Sequence, residues 1–316
     1  MSRSTREAFG TALVAAGETH PEVVALDGDV ATSVMTAEFG KRFPERYCQL
    51  GIAESNMIGV AAGLAMAGKV PFVASFACFL TGRMETIRMS VAYNRSNVKL
   101  VGTHVGVGIG EDGHSQMGLE DVAYVRAMPN VAVIQPCSGI ETERAVEHMV
   151  EHRGPMYLRL TRQKVPEIFD ASYRFELGKG VVLRDGGDVA IVASGATVHE
   201  ALGAADLLDR HGISAAVVDV HTIQPIDDEL LADLAGRCGR VVTVEDHVVV
   251  GGLGGAVCES LTSTRPVRVL RLGINGFGES GDPAELYERF GISAARIASA
   301  VAGFIDSPAE VALSVR

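Results

Sequence analysis

Continuous runs of apolar residues alternate with helical patterns along the first half of the chain. A strand that is apolar on both faces is buried on both faces, which is typical of a parallel sheet covered by helices. This half therefore predicts a doubly wound α/β fold. The strand-length runs cover residues 23–27, 70–77, 98–105, 131–135 and 156–160, and the helical patterns cover residues 35–42, 55–67, 79–94, 119–127 and 139–153.

A second series of strands and helices follows a connecting stretch that contains Pro166 and Gly178. The 316 residues of the chain exceed the size of about 250–300 residues at which a single core stops growing. We therefore predict an α/β fold of two doubly wound domains, residues 1–165 and residues 188–316, joined by a linker over residues 166–187. In the second series, strands are predicted near residues 188–193, 214–219, 240–245 and 267–271, and helices near residues 196–211, 226–236 and 253–263.

Charge and composition limit the partners. The 28 basic and 39 acidic residues give a formal net charge of −11, which opposes binding to nucleic acid and to anionic membranes.

Residues 56–80 have the length of a membrane span, but Lys69 and Pro71 interrupt them and predict a helix followed by a strand. The N-terminus does not resemble a signal peptide, and the five cysteines have no zinc or disulfide spacing. We expect a cytoplasmic protein without nucleic-acid or membrane partners.

Two literal motifs are poor guides to function. Residues 108–113 read G-x-G-x-x-G, but Glu111 and Asp112 inside the motif would repel a pyrophosphate. The segment is either a glycine-rich surface loop or a loop that brings an acid to a hydroxyl-rich ligand. Residues 148–152 read H-x-x-E-H, but they lie on the polar side of a predicted helix, where a solvated surface is the better interpretation. We predict no metal site in this chain.

Polar and aromatic residues follow several of the predicted strands. In open α/β sheets, ligands bind beyond the carboxyl ends of the strands, so these residues predict a ligand site at one sheet edge. The residues are Asp29, Ser33, Phe76, Phe79, His104, the loop 106–118 and Arg162.

Glu54 begins a helix that is otherwise apolar nearly all round, with Gly59 and Gly63 four residues apart. Such a helix must be buried, and we expect it to pack against another subunit. Glu54 is either a first-turn acid that interacts favourably with the helix dipole or a buried carboxylic acid that hydrogen-bonds a heteroaromatic nitrogen. Its chemistry alone leaves both interpretations open.

Several segments resemble transketolases. Residues 51–57 (GIAESNM), the loop 106–113 with its Gly-Glu-Asp-Gly ending and residues 160–163 (LTRQ) resemble the pyrimidine-binding domain of that family. Residues 251–254 (GGLG) and 277–281 (FGESG) resemble its C-terminal domain. The resemblance covers nearly the whole chain in the family's order. It implies a thiamine-diphosphate pyrimidine-binding domain followed by a transketolase-type C-terminal domain, as in the small subunit of a split transketolase.

The resemblance also implies roles for residues around the cofactor. Glu54 would hydrogen-bond the pyrimidine nitrogen of thiamine diphosphate and so promote deprotonation of the cofactor. Phe79 would stack on the pyrimidine and Phe76 would help to wall its pocket, although ordinary core packing would also explain both phenylalanines. Asp29 falls where the family has a carboxylate near the cofactor.

Other matching positions concern the substrate. The resemblance implies that His104 and Asp112 hydrogen-bond sugar hydroxyls. It also implies that His104 is a catalytic residue, together with Glu54. The phosphate-binding positions of the family fall on Arg6, Ser33, His104 and Arg162, and the planar guanidinium group suits phosphate oxygens. The substrate-binding position Gln116 replaces a histidine found in many transketolases near the reactive carbon, and Gly82 replaces a tyrosine found in some beside the pyrimidine.

A partner subunit is implied by what this sequence lacks. Transketolases bind Mg²⁺ and the cofactor's diphosphate through a G-D-G…N motif, and this sequence contains no G-D-G. The resemblance therefore implies a large N-terminal subunit that carries the motif and the metal, an α2β2 assembly and an active site between subunits. The implied reaction is transfer of a two-carbon ketol unit from a ketose phosphate to an aldose phosphate.

Two other functions stay open. The run His114-Ser115-Gln116 resembles the β subunits of 2-oxo acid dehydrogenases, which use the same cofactor. A non-catalytic regulatory subunit could also keep this fold. The Gly-Glu-Asp-Gly loop and the Phe-Gly-Glu-Ser-Gly segment favour transketolase.

Overall fold

The protein is described by a computed structural model over residues 2–307, so Met1 and residues 308–316, the end of the predicted second domain, lie outside the described residues. The strands are β1 (Ser2–Ser4), β2 (Val23–Asp27), β3 (Tyr47–Gln49), β4 (Val70–Phe76), β5 (Lys99–Thr103), β6 (Ala132–Ile134), β7 (Met156–Arg159), β8 (Lys164–Pro166), β9 (Val181–Arg184), β10 (Val189–Ala193), β11 (Ala215–Asp219), β12 (Thr222–Gln224), β13 (Arg240–Val248) and β14 (Arg268–Ile274). The helices are α1 (Thr5–Thr19), α2 (Ala37–Arg42), α3 (Glu54–Met66), α4 (Ala77–Thr81), α5 (Met84–Thr86), α6 (Asp121–Arg126), α7 (Gly139–Glu151), α8 (Thr197–Asp209), α9 (Asp228–Cys238), α10 (Leu253–Thr264), α11 (Pro283–Arg289) and α12 (Ala294–Asp306).

The first sheet has seven strands in the order β12-β6-β7-β5-β4-β2-β3. The five apolar runs predicted in the first half of the chain form β2, β4, β5, β6 and β7, and these strands pair in parallel. The edge strand β12 comes from the second half of the chain and pairs antiparallel with β6. The first sheet is therefore completed by a segment far away in sequence.

The second sheet has five strands in the order β14-β13-β10-β11-β9. Its four predicted strands pair in parallel, and β9 joins the edge in the antiparallel direction. The prediction of two doubly wound α/β units is thus confirmed. Strand β9 lies within the predicted linker 166–187 and belongs to this sheet, and the domain limits 1–165 and 188–316 stay predictions.

One predicted helix is wrong, and three helices, α1, α11 and α12, were overlooked. The helix predicted over residues 79–94 is broken into α4, α5 and a π-helical segment, Ile87–Tyr93, with the break at Gly82 and the non-helical Arg83. Glycine is a poor helix former, which explains the position of the break. The overlooked helix α1 begins with a capping box, in which Glu7 N donates to Ser4 Oγ at 3.3 Å and Ser4 N donates to Glu7 Oε2 at 2.8 Å.

Helix α3 is buried on one side and open on the other. Met57, Ile58 and Ala61 are fully buried against the first sheet, whereas Ile52 just before the helix and Met66 at its end are each 84% exposed. The expectation that a second subunit covers the open side stays a prediction. None of the helices within residues 2–307 is both long enough and apolar enough to span a bilayer.

Candidate active site

The loop after β2 is held by the buried carboxylate of Asp27. Asp27 Oδ2 accepts hydrogen bonds from Thr36 Oγ1 at 3.0 Å and from the Tyr47 hydroxyl, and Oδ1 accepts from Val30 N at 3.3 Å. Burial, and then Asp27, raise the pKa of Tyr47, so its hydroxyl stays protonated. These contacts fix the backbone on either side of Asp29, a predicted cofactor neighbour.

Asp29 is exposed and has a left-handed backbone with φ +67°. Its Oδ1 accepts a hydrogen bond from Gln49 Nε2 at 2.9 Å. Non-glycine residues adopt this conformation in tight turns, and aspartate tolerates it better than most. The conformation turns the chain sharply after β2 at the carboxyl edge of the sheet.

Glu54 lies at the first position of α3 and is only 5% exposed. The preceding turn requires Gly51, whose φ is +69°. Within residues 2–307, the Glu54 carboxylate makes an ion pair with Arg83, in which Oε2 lies 3.7 Å from Nη2. Arg83 was not predicted as a site residue, because only the helix break after α4 brings it to Glu54.

Three aromatic rings form a stack at the ends of β4 and β5. The ring centroids of Phe76 and Phe79 lie 5.2 Å apart with an interplanar angle of 5°. Phe76 also stacks on His104, with centroids 3.6 Å apart and an angle of 17°. Both phenylalanines are partly exposed, so they present aromatic surface beyond the core. The structure thus brings together three residues that the sequence assigned to the site.

His104 is held in its neutral form. Burial, and then the positive charges of Arg6 and Arg162, lower its pKa to about 3. Arg6 Nη1 lies 3.4 Å from Nε2, which must accept because a guanidinium group only donates. The remaining proton is therefore on Nδ1, 2.9 Å from Thr103 Oγ1, and the threonine hydroxyl donates to Ser75 O at 3.4 Å. Thr103 orients the ring and was not predicted as a site residue, although it directly precedes His104 in the sequence.

Two arginines make one corner of the site cationic. Arg6 in the first turn of α1 donates from Nη1 to Ser33 O at 2.7 Å, and its buried Nε has no hydrogen-bond partner within residues 2–307. Burial, and then Arg162, lower the pKa of Arg6. Arg162 donates from Nη1 to Asp112 Oδ2 at 2.9 Å, and both side chains of this pair are partly exposed. Together with His104, these residues occupy one region, as predicted.

The glycine-rich loop after β5 closes another side of the site. It contains two short 3₁₀ turns, Val107–Asp112 and His114–Gln116, and the second turn contacts α4. His114 Nδ1 accepts a hydrogen bond from Gly278 N at 3.1 Å, and its ring contacts Phe277 edge-on with centroids 4.4 Å apart. Gln116 at the end of the second turn is partly exposed. The segment that contains Phe277 therefore contributes to this region.

The comparisons with known proteins assign the chain to a family. Residues 1–167 match the model of the transketolase pyrimidine-binding domain, and residues 178–297 match that of the transketolase C-terminal domain. The chain belongs to the transketolase family. The fold and the family resemblance predicted from the sequence are thereby confirmed.

Relatives of two lengths match this transketolase-family chain. A protein of Methanocaldococcus jannaschii named for a transketolase C-terminal section is 43% identical over 304 residues, which are 95% of each chain. Human transketolase is 41% identical over 306 residues, 96% of this chain but 49% of the human protein. The chain therefore spans about half of the length of the human relative. A solved structure described as a split gene transketolase, inactive beta4 tetramer, is 44% identical with a TM-score of 0.90 and covers 96% of this chain and 98% of its own.

Proposed function

We propose that this chain is the small subunit of a two-chain transketolase that transfers a two-carbon ketol unit from a ketose phosphate to an aldose phosphate. The observation that carries the proposal is the cluster of Glu54, the stacked phenylalanines and neutral His104 beside two arginines, in a chain that covers half of human transketolase. One side of this cluster suits a heteroaromatic ring, and the other suits a sugar phosphate.

The side of the site that contains Glu54, Phe76 and Phe79 fits the pyrimidine ring of thiamine diphosphate. Glu54 is a buried carboxylate with a single long ion pair among the described residues, so it has capacity to hydrogen-bond a ring nitrogen. The partly exposed faces of Phe76 and Phe79 provide an apolar wall for a ring, and Asp29 lies at the same sheet edge. When bound, thiamine diphosphate would supply a stabilised carbanion for cleavage and formation of carbon–carbon bonds. Glu54 would hold the cofactor's ring nitrogen and its proton.

The opposite side fits a phosphorylated sugar. Within residues 2–307, the buried Nε of Arg6 has no hydrogen-bond partner and Arg162 pairs with the partly exposed Asp112, so both can bind a phosphate. Ser33 is positioned next to them by its carbonyl contact with Arg6. In its neutral form His104 can accept a hydrogen bond from a sugar hydroxyl at Nε2 without carrying a charge. Asp112 and Gln116 would bind further hydroxyls from the glycine-rich loop.

A partner subunit completes the proposed enzyme. The chain contains no G-D-G sequence, and the relative from Methanocaldococcus jannaschii, named for a C-terminal section, has nearly the same length as this chain. We propose that a large N-terminal subunit holds the diphosphate and Mg²⁺, in an α2β2 assembly with the open side of α3 at a subunit contact. The name of the solved structure describes that protein as an inactive tetramer of β subunits, which agrees with a need for a second subunit.

Turnover with and without the large subunit tests this function. The large subunit would be the product of a neighbouring reading frame with a G-D-G…N motif, and the substrates would be xylulose 5-phosphate and ribose 5-phosphate with thiamine diphosphate and Mg²⁺. We expect a seven-carbon product from the mixture alone. Activity of this chain without the partner would disprove the two-chain proposal. Decarboxylation of a 2-oxo acid by the mixture would instead indicate a dehydrogenase β subunit, and no activity with either substrate class would favour a regulatory subunit.

A further inference from the structure

Asp246 in the second sheet contacts the glycine-rich loop of the first half. It lies near the end of β13 and is 4% exposed. Its Oδ1 accepts a hydrogen bond from Val107 N at 2.7 Å, and its Oδ2 accepts from Gly108 N at 3.1 Å. The Tyr287 hydroxyl donates to Oδ2 at 2.9 Å. One carboxylate thus binds two consecutive backbone amides at the start of the loop.

The loop is shaped for this contact. A side chain at Gly106, whose φ is +78°, would collide with the Asp246 carboxylate. A side chain at Gly108 would collide with the amide oxygen of Gln163. The start of the loop can therefore approach Asp246 this closely only with glycine at position 106, which gives that residue a specific purpose.

The end of the loop is attached to the same strand. Val248 N donates to Leu119 O at 2.9 Å. The buried Arg159 donates from Nη2 to Gly118 O at 2.8 Å and to Asp246 O at 3.1 Å. The residues between the two attachments include Asp112, which pairs with Arg162 on the substrate side. The end of β13 thus holds both ends of the loop.

We propose that Asp246 is a positioning residue for the substrate, which sets the place of Asp112 and Gln116 by holding the backbone of the loop. This inference rests on the proposed function, because it assigns substrate contacts to the loop. It gives the second sheet a role in the active site of the same chain. Asp246 itself would touch neither substrate nor cofactor.

The preceding residue on the strand provides a matched control. Glu245 is also a buried carboxylate that accepts two backbone hydrogen bonds, from Leu253 N at 2.7 Å and Gly254 N at 2.9 Å. These amides begin α10, so Glu245 holds a helix and not the loop. Asp246→Asn and Glu245→Gln each replace one acceptor oxygen by an amide donor within the same strand.

The first measurement is hydrogen exchange of the full chain. In Asp246→Asn, at least one amide donor must face another donor, and we expect amide exchange at residues 106–118 to become about tenfold faster or more. In Glu245→Gln, faster exchange should be confined to the start of α10. Unchanged exchange of the loop in Asp246→Asn, or equal acceleration in both variants, would overturn the inference. This readout needs no activity, so it remains decisive if the proposed ketol transfer is not found.

The second measurement uses the complex with its large subunit. Asp246→Asn should raise KM for the sugar phosphates about tenfold or more, while the Kd for thiamine diphosphate changes less than about twofold. Tyr287→Phe removes one donor to Asp246 and should raise KM by a smaller factor, which covers the case in which Asp246→Asn folds poorly. An unchanged KM in both variants, or an equal rise in Glu245→Gln, would contradict the positioning role.

Discussion

The guanidinium group of Arg83 lies 3.7 Å from the carboxylate of Glu54. Arg83 is 49% exposed at its side chain, whereas Glu54 is buried at the start of α3. The proposed cofactor ring would need the same carboxylate. In the proposed enzyme, Arg83 would therefore compete with the pyrimidine for Glu54, or would have to move when the cofactor binds.

Removal of this competitor should strengthen cofactor binding. Because a partly exposed ion pair contributes about 0–1 kcal/mol, we expect Arg83→Ala to lower the Kd for thiamine diphosphate by up to about fivefold. A fluorescence titration of the complex with its large subunit and Mg²⁺ measures this value, and Arg83→Lys, which keeps the charge, is the control. Weaker binding in Arg83→Ala would show that Arg83 instead helps to hold the cofactor.

Glu54 itself should control turnover. Glu54→Gln keeps the size of the side chain but removes the acid, and we expect kcat to fall by about a hundredfold or more, as for loss of a general acid or base. The thermal midpoint should change little, because the carboxylate makes only one long ion pair within residues 2–307. Steady-state kinetics and thermal unfolding measure the two effects. A variant with normal turnover would favour the regulatory-subunit alternative.

The neutral state of His104 makes stability depend on pH. Its pKa is lowered from 6.5 to about 3 in the folded protein, so the unfolded chain binds a proton first as the pH falls. The contribution of His104 to stability is present above pH 6.5 and is lost as the pH falls towards 3. His104→Gln, which can still accept from Arg6, should therefore lose less stability than the wild type between pH 6.5 and pH 4.

Urea unfolding of the two proteins at a series of pH values measures this difference. The buried His221 and His247 titrate in both proteins and cancel in the comparison. Identical slopes of unfolding free energy against pH would show that the pKa of His104 does not differ between the folded and unfolded states.

Asp219 at the end of β11 should make stability depend on pH in the direction opposite to that of His104. It is fully buried, accepts a hydrogen bond from Cys137 Sγ at 3.2 Å, and its Oδ1 has no partner within residues 2–307. Burial, and then the nearby Glu141, raise the pKa of its carboxyl group well above the usual value. Its stabilising contribution is present at low pH and is lost as the pH rises through the folded-state pKa.

Asp219→Asn removes this ionisation. We expect its unfolding free energy at pH 7 to lie within about 1 kcal/mol of the wild type and to fall less at alkaline pH. Asp219→Ala should cost about 2 kcal/mol or more, because it opens a cavity beside Cys137 and Glu141. The ligand atoms of these three residues lie within 4.8 Å of one another, so unfolding should also be measured with a chelator. Loss of stability with the chelator would indicate a bound metal ion instead of a proton.

With Gln116 in place of a histidine, the catalytic rate should depend less on pH. Many transketolases have a histidine at the matching position, and glutamine does not titrate. We expect the pH profile of kcat/KM to be flat near pH 6–7 in the wild type and to gain a limb in Gln116→His, because the unperturbed pKa of histidine is about 6.5. Initial rates over pH 5.5–8.5 with the large subunit measure the profile. Superimposable profiles would show that the residue takes no part in proton transfer.

Local patterns in the sequence were sufficient for most of the fold. The strands that became β2, β4, β5 and β7 are continuous apolar runs, and burial on both faces is the direct reason why such runs form a parallel sheet. Site residues that follow these strands, such as Phe76 and His104, were predicted together because parallel strands end at the same edge. The start of α1 was overlooked, although Ser4 and Glu7 have the spacing of a capping box.

Contacts between segments far apart in sequence were decided only by the tertiary structure. No periodicity pairs β12 with β6, places Arg83 beside Glu54 or brings Asp246 to the amides of Val107 and Gly108. A pattern of apolar residues determines which face of an element is buried, but it does not determine which partner covers that face. The partner is selected when whole elements pack and each buried polar group must find a donor or acceptor, and that requirement joins the second sheet to the loop of the active site.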